Sequence, residues 1–161
     1  MLKPNSLREH LSQAVPALRR DPDKLSVFLK EGKLVAAAGE TLSFEYRYTL
    51  NLVLLDYAEH ADAVMVPLLA WLRVNQPEIA ENPDLREKAL RFEVEFLNSK
   101  TVDLSIEVDL TERVLVQPRK SASGFDVKHL GEPAHVGQMP AGERWDVYFA
   151  GDLLASWTYP A

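Results

Sequence analysis

The sequence contains no cysteine. This absence excludes disulfides, thiolate nucleophiles and zinc sites built on cysteine, and it fits a reducing compartment. The longest apolar run, residues 63–72, is about half of what a membrane-spanning helix needs. No apolar stretch follows the first five residues, so we predict no signal peptide and expect a soluble cytosolic product with no membrane partner.

A basic excess is also missing, because the 161-residue chain carries a formal net charge of −6. Proteins that grip nucleic acid through its phosphates normally show the opposite balance, so we expect no sequence-specific nucleic-acid partner. Apolar residues make up 47% of the chain, which is enough for a packed core. The length fits one domain, with room for a small appendage.

The short motifs of common enzymes are absent too. There is no GxSxG elbow, phosphate-binding Walker loop, GxGxxG or HExxH. The nearest approach is the stretch DYAEHAD, in which Asp56, Glu59, His60 and Asp62 are of types that bind divalent metals. This stretch lies between a predicted strand and a predicted helix, where Asp62 is the expected N-cap. We therefore predict no catalytic residue, no metal ligand and no cofactor.

One strand dominates the pattern. Every even position from Leu42 to Leu54 is apolar, which is typical of a strand with one buried face. The odd positions are polar at first and become apolar at Val53 and Leu55. Two explanations stay open: this end meets another layer or another subunit, or it is a central strand covered on both sides within one subunit.

Helices are predicted on either side of this strand. Ser6 reads as the N-cap of a first helix that Pro16 kinks or stops. Asp62 reads as the cap of a second helix over residues 63–75. Asn82, followed by proline, opens a short third helix. With the alternating strands, these segments predict an α+β fold.

Further strands are predicted on both sides of that helical region. Glu31 and Gly32 have the composition of a hairpin turn between two short strands. A later hairpin offers Phe92, Val94 and Phe96 to the core on its first strand, and its second strand begins at residue 102 and is prolonged through residue 116. A short strand is expected over residues 125–130, and the chain closes with a hairpin around residues 151–152.

The later hairpin carries a row of acidic residues on its polar face. If residue 96 pairs with residue 102, Arg91 lies opposite Glu107 and Glu95 lies opposite Asp103. Such a face has three possible roles: a solvated surface, an acid/base pair for catalysis, or the wall of a channel through which a polyanion slides. The residues that would line such a channel are Glu93, Glu95, Asp103, Glu107 and Asp109.

Several stretches resemble one family of phage proteins. They are the opening MLKPNSLREHL, the strand SFEYRYTLNL, the helix VPLLAWLRVNQPEI, the segment LTERVLV and the closing WDVYFAGDLLASW. Together they are similar to the tail completion protein R family of temperate contractile-tailed phages and, more loosely, to phage tail terminators. The likeness covers about residues 1–116 and 145–157, while residues 117–144 show little of it.

The resemblance implies a structural virion protein and no enzymatic activity. Members of the family finish the tail after tube and sheath have polymerised and support its joining to a filled head. Tail terminators are α+β subunits with a mostly antiparallel or mixed sheet, helices on one face, and a six-fold ring as their assembly. The implied partners are copies of the chain itself, tube and sheath proteins, and head-completion or connector proteins. The implied location is the virion tail, with the host cytoplasm during assembly.

We thus expect an α+β domain over residues 1–130, a loop or tether over 131–144, and a C-terminal β-hairpin over 145–161 packed on the same domain. The residues expected to contact another subunit or the tail are Lys33, Val35, Val53 and Leu55. Two alternatives remain. One is a small enzyme that uses Glu95 with Asp103, or Asp56 with His60 and Asp62. The other is an adaptor that adds a partner's strand to the edge around residues 33–38.

Overall fold

The computed structural model describes residues 1–120, 123–133 and 142–159, and it has the predicted α+β fold. Its helices are α1 (Lys3–Ala14), α2 (Pro16–Arg20), α3 (Asp62–Asn75), α4 (Glu78–Glu81) and α5 (Pro83–Lys88), with a 3-10 turn at Pro22–Lys24. Its strands are β1 (Leu25–Ala36), β2 (Phe44–Tyr57), β3 (Leu90–Phe96), β4 (Val102–Pro118), β5 (Phe125–His129), β6 (Glu143–Phe149) and β7 (Asp152–Tyr159). Among the described residues, no helix is both long and apolar enough to cross a lipid bilayer.

Five strands form one antiparallel sheet in the order β1-β2-β4-β3. The fifth, β5, pairs with the far end of β4 and continues the edge at which β3 stops. Val114 shows this arrangement directly, because it pairs with Phe44 on one side and with His129 on the other. The long strands β2 and β4 are therefore central, and β1 and β3 lie at opposite edges.

The core lies between this sheet and the helices α1 to α3. The even-numbered side chains Leu50, Leu52 and Leu54 of β2 are fully or almost fully buried, as the alternating pattern predicted. Leu11 and Leu68 contribute the apolar faces of α1 and α3 to the same cluster. One side of the sheet is thus covered by helices.

The first strand differs from the prediction. Glu31 and Gly32 form no turn, because β1 runs through them and pairs with Thr49 and Tyr48 of β2. A bulge between Leu29 and Glu31 accommodates the irregularity. The true turn lies between β1 and β2, over residues 37–43. The long strand β2 provides backbone hydrogen-bond partners along the whole of β1, and these bonds outweigh the local propensity of Glu31 and Gly32 to form a turn.

Two predicted helix starts are also wrong. The helix α1 begins at Lys3 with proline in its first turn, and Ser6 lies inside it. The Ser6 hydroxyl accepts a hydrogen bond from Trp71 Nε1 at 3.1 Å. The hydroxyl that the local pattern predicted as a helix cap therefore bonds a side chain of α3 instead. Asp62 is the first residue of α3, and its side chain makes no capping hydrogen bond.

Three other helix and strand predictions are confirmed. The first helix breaks before Pro16, where Val15 is extended. The Asn82 side chain accepts from the Asp84 amide at 2.9 Å and caps the short helix α5. The strand β4 extends to Pro118, as the apolar residues near its end predicted.

The edge strand β3 is less buried than predicted. Its side chains Phe92 and Phe96 point to the helix side of the sheet but are 63% and 80% exposed, whereas Leu90 and Val94 pack against the core. The helices cover β2 and β4 and do not extend over this edge. Alternation indicates which face a residue takes, but it contains no information on how far the second layer reaches.

The C-terminal hairpin β6–β7 turns at Ala150 and Gly151, which both have positive φ, as a tight two-residue hairpin turn requires. Its Trp157 is buried in a small cluster with Ala14 of α1 and Ala70 of α3. The hairpin therefore contacts the two main helices. Of the predicted tether, residues 134–141 lie outside the described residues, and the domain boundaries stay a prediction.

A buried carboxylate ties the amino terminus to the sheet. Glu112 lies on the helix side of β4 and is only 4% exposed. It accepts hydrogen bonds from Tyr48 Oη at 2.5 Å and from the backbone amides of Leu2 and Lys3 at 2.8 and 3.2 Å, and His129 Nδ1 lies 3.0 Å away. Burial alone would raise the pKa of Glu112, but these hydrogen bonds outweigh it and leave the pKa lowered.

We expect Leu52→Ala to lower the free energy of unfolding by about 2–5 kcal/mol, because it opens a cavity at a fully buried position. Leu55→Ala, on the same strand at a position that is 51% exposed, is the matched control and should change it by less than about 0.5 kcal/mol. Urea denaturation measures both values. Similar losses for the two variants would contradict the assignment of the buried face.

We expect Glu112→Gln to lower the free energy of unfolding by about 1–3 kcal/mol at pH 7, because it removes a charged acceptor from four contacts, two of them buried. The pKa of Glu112 is lowered in the folded state, so the unfolded state binds more protons in acid and the stabilisation rises with pH.

The difference between the wild type and Glu112→Gln should therefore be complete above about pH 5 and shrink as the pH falls below about 4, near the unfolded value. Urea unfolding at several pH values measures it, with the exposed Glu87→Gln as control. A difference that stays constant from pH 7 to pH 3 would show that the carboxylate charge does not stabilise the fold.

Candidate assembly surface

The side of the sheet opposite the helices has no covering layer among the described residues. We call it the outer face. It includes the odd-numbered side chains of β2 from Glu45 to Val53, which are half-buried or exposed, and the residues paired with them on the neighbouring strands. Its members on the three strands β2, β3 and β4 are Glu45, Arg47, Thr49, Asn51, Val53, Arg91, Glu93, Glu95, Asp103, Ser105, Glu107, Asp109, Thr111 and Arg113. At Thr111 the side chains of Gln76 and Glu78 reach this face and bond the hydroxyl.

All five residues of the predicted acidic row lie on the outer face. The pairing of β3 with β4 has the predicted register: Arg91 is opposite Glu107, and Glu95 is opposite Asp103. Asp103 also accepts a hydrogen bond from the backbone amide of Asp56 at 2.9 Å. The sequence therefore located the row and its internal order correctly.

Two cations neutralise part of this row. Arg91 donates to Asp109 at 2.9 Å and lies 3.4 Å from Glu107. Lys30, at the bulge of β1, reaches over the sheet to Glu107 Oε1 at 2.6 Å. The contribution of Lys30 was not predicted, because the two residues are 77 positions apart and no local pattern joins them.

The ion pairs keep their carboxylates ionised. The hydrogen bond from Lys30 lowers the pKa of Glu107, and Arg91 adds to the effect. Burial opposes ionisation of Asp109, but hydrogen bonds from Arg91 and Thr49 outweigh it and lower its pKa too. Within the described chain, Glu95 has no cation beside it, so negative charge is least compensated at the β3 edge.

The four residues expected at an interface form two separate groups. Lys33 and Val35 lie on the edge strand β1, opposite Arg47 and Glu45. Val53 and Leu55 lie at the other end of β2, where Phe28 of β1 is a further exposed apolar side chain that was not singled out from the sequence. Leu55 is 51% exposed and Val53 half-buried, so the described part of the subunit does not bury this strand end on both sides.

The polar loop between β2 and α3 does not assemble a compact site. Asp56 has a positive φ of 50° and bonds through its amide to β4. His60 Nδ1 lies 3.4 Å from Asp62 Oδ2, and Glu59 pairs with an arginine of α2. Among the described residues, no group of three or more potential ligands is placed to hold a metal ion.

Comparison with known proteins agrees with the resemblance in the sequence. The family model of the P2 phage tail completion protein R (GpR) matches residues 1–133. Tail completion protein R of Escherichia phage P2 is 38% identical over 157 residues, which cover 98% of this chain and 99% of the relative. No solved structure matches the chain. The match extends over all the strands of the five-stranded sheet and over α1 to α5, and the chain belongs to the P2 phage tail completion protein R family.

Proposed function

We propose that this family member completes the phage tail as a ring of identical subunits, possessing no enzymatic activity of its own. The observation that carries the proposal is the near full-length match to a tail completion protein, on a subunit whose sheet has two edges on opposite sides that no described strand covers. Such a ring would close the end of the tube and sheath and present a new surface to the head-completion or connector proteins. Its site of assembly is the host cytoplasm and its final place is the virion tail.

The mechanism is geometric. Two different edges of one subunit support a head-to-tail contact, which closes into a ring when the rotation between neighbours fits. A closed ring has no free edge left, and its exposed end differs from the tube end that it covers. Growth of the tube stops because the next tube subunit finds no surface like its own.

We propose that the acidic part of the outer face borders the passage for DNA. Glu95 has no cation beside it in the described chain, while Glu93, two residues before it on β3, lies within range of the Lys30 charge. A wall of the same sign as the phosphates repels them over a distance of about 8 Å at physiological ionic strength, so DNA passes without sticking. The cations Lys30 and Arg91 hold Glu107 and Asp109 in place, the backbone amide of Asp56 holds Asp103, and the wall stays acidic.

The apolar end of the outer face is the proposed contact with the tail. Leu55 is 51% exposed and Phe28, opposite Asn51, is 48% exposed, while Val53 is half-buried on β2 between Asn51 and Leu55. Burying side chains of this size contributes about 1.5–3 kcal/mol each, which is enough for a few residues to anchor a subunit.

One other function has a structural feature in its favour. The free edge of β1 would allow a peptide to add as a further strand, which is the adaptor function considered above. The adaptor hypothesis predicts binding to a non-phage peptide and normal tails when the chain is removed. The presence of the chain on purified tails distinguishes the two.

We expect Leu55→Asp to reduce the amount of the chain on purified tails at least about tenfold, because it places a charge where apolar contact is proposed. The test is complementation of a phage that lacks this chain, with quantitative mass spectrometry of the tails and the infectious titre as readouts. The control is Leu42→Asp, at an exposed leucine in the turn before β2.

Tails that carry normal amounts of Leu55→Asp would contradict the proposed tail contact. A wild-type chain that is absent from purified tails would contradict the proposed function as a whole. Both variants change exposed side chains, so folding of the purified proteins is expected to be unchanged, and circular dichroism checks this.

A further inference from the structure

Both edges of the sheet lack strand partners within the described chain. The twelve residues of β1 pair with β2 alone, and the seven residues of β3 pair with β4 alone. An exposed edge is normally protected in a stable monomer, by bulges, lysines or a covering element. The bulge at Leu29–Glu31 divides β1 into two regular stretches, residues 25–29 and 31–36, and the longer of them, 31–36, has nearly the length of β3.

Each edge also carries a directly opposed pair of like charges within the subunit, although Arg47 of the basic pair is bonded to Glu45. On β1, Lys33 lies directly opposite Arg47 of β2. On β3, Glu95 lies directly opposite Asp103 of β4. Like charges at directly opposed positions of a sheet cost stability. Both pairs lie on the outer face, one basic at one edge and one acidic at the other.

We infer that β1 of one subunit pairs with β3 of the next, with Lys33 opposite the neighbour's Glu95. This inference rests on the ring proposed above and specifies how its subunits join. The strands run antiparallel, because each step from β1 through β2 and β4 to β3 reverses direction and a head-to-tail copy keeps the orientation of the first. Across the contact, Arg47 of β2 and Lys33 of β1 in one subunit are followed by Glu95 of β3 and Asp103 of β4 in the next. Lys33 and Glu95 each gain a neighbour of opposite charge.

The same register matches the side chains on the helix side. It places Gly32 opposite the neighbour's Phe96, Leu34 opposite Val94, and Ala36 opposite Phe92. The two aromatic rings, which are 80% and 63% exposed in the single subunit, thus lie across from the two smallest residues of this stretch. Burial of these rings supplies the apolar part of the contact.

Neighbouring registers fit less well. A shift of two residues in one direction moves Lys33 opposite Glu93 but places Glu31 opposite Glu95, which adds a like-charge pair that the proposed register lacks. A shift of two residues in the other direction removes Lys33 from β3 altogether. A shift of one residue would set the outer face of one subunit against the helix side of the next.

The absence of cysteine from the chain allows a direct test by disulfide formation. Lys33→Cys and Glu95→Cys are prepared as separate full-length proteins and mixed under mild oxidation. Directly opposed residues of antiparallel strands have Cα atoms about 4.5–5.5 Å apart, which suits a disulfide. The control mixes Lys33→Cys with Arg91→Cys, which lies about 13 Å further along β3. We expect the first mixture to form the mixed dimer at least about tenfold faster.

A charge exchange provides the second measurement. Lys33→Glu and Glu95→Lys should each weaken self-association about tenfold, and a chain with both changes should recover to within about threefold of the wild type. Each single change creates an opposite-charge pair within its own subunit, with Arg47 or with Asp103. The single variants should therefore unfold at no lower urea concentration than the wild type, so weaker association cannot be ascribed to unfolding.

The outcomes separate the two proposals. A wild-type chain that stays monomeric in solution and on purified tails would overturn the ring and this contact together. A wild-type oligomer in which the Lys33→Cys and Glu95→Cys proteins join no faster than the control, or in which the double charge exchange fails to recover association, would overturn the contact between β1 and β3 alone.

Discussion

The structure depends on a single constraint: one five-stranded sheet is covered by helices on one face only. The leucines of β2 and β4 on that face meet α1 to α3 and form the core. The opposite face and both edges find no second layer in the described part of the chain. Everything proposed about assembly follows from these three uncovered surfaces, since apolar side chains and unpaired strand edges are stabilised by contact with a further subunit.

The local alternation of polar and apolar residues was sufficient to predict much of the fold. It identified the central strand β2, the register of β3 against β4, and the terminal hairpin. It failed where the outcome depends on partners distant in the chain. The turn proposed at Glu31 and Gly32 is a strand because β2 is long enough to pair with it, and Ser6 serves Trp71 in place of a helix cap. The pattern predicted the face of the sheet on which Phe92 and Phe96 lie, but it did not predict their exposure. Strand periodicity does not encode how far the helix layer extends.

The candidate surface was predictable to a similar degree. The acidic row of the hairpin follows from pattern alone, as does the change from polar to apolar along β2. The ion pair of Lys30 with Glu107 joins strands that are not neighbours, and the sequence holds no signal for it. The sequence also holds no signal for the hydrogen bonds around Glu112, which bring Leu2, Tyr48 and His129 to one carboxylate. Such clusters of distant residues can be recognised only when the topology is known.

The central claim is that the uncovered surfaces of this subunit are completed by copies of itself at the end of a phage tail. A cryo-electron microscopy reconstruction of that end, at a resolution that traces strands, tests it most directly. The account predicts a closed ring in which the sheet continues from one subunit to the next and the helices lie away from the central passage. A single copy on the tail, or a ring joined through its helices with both sheet edges free, would contradict it.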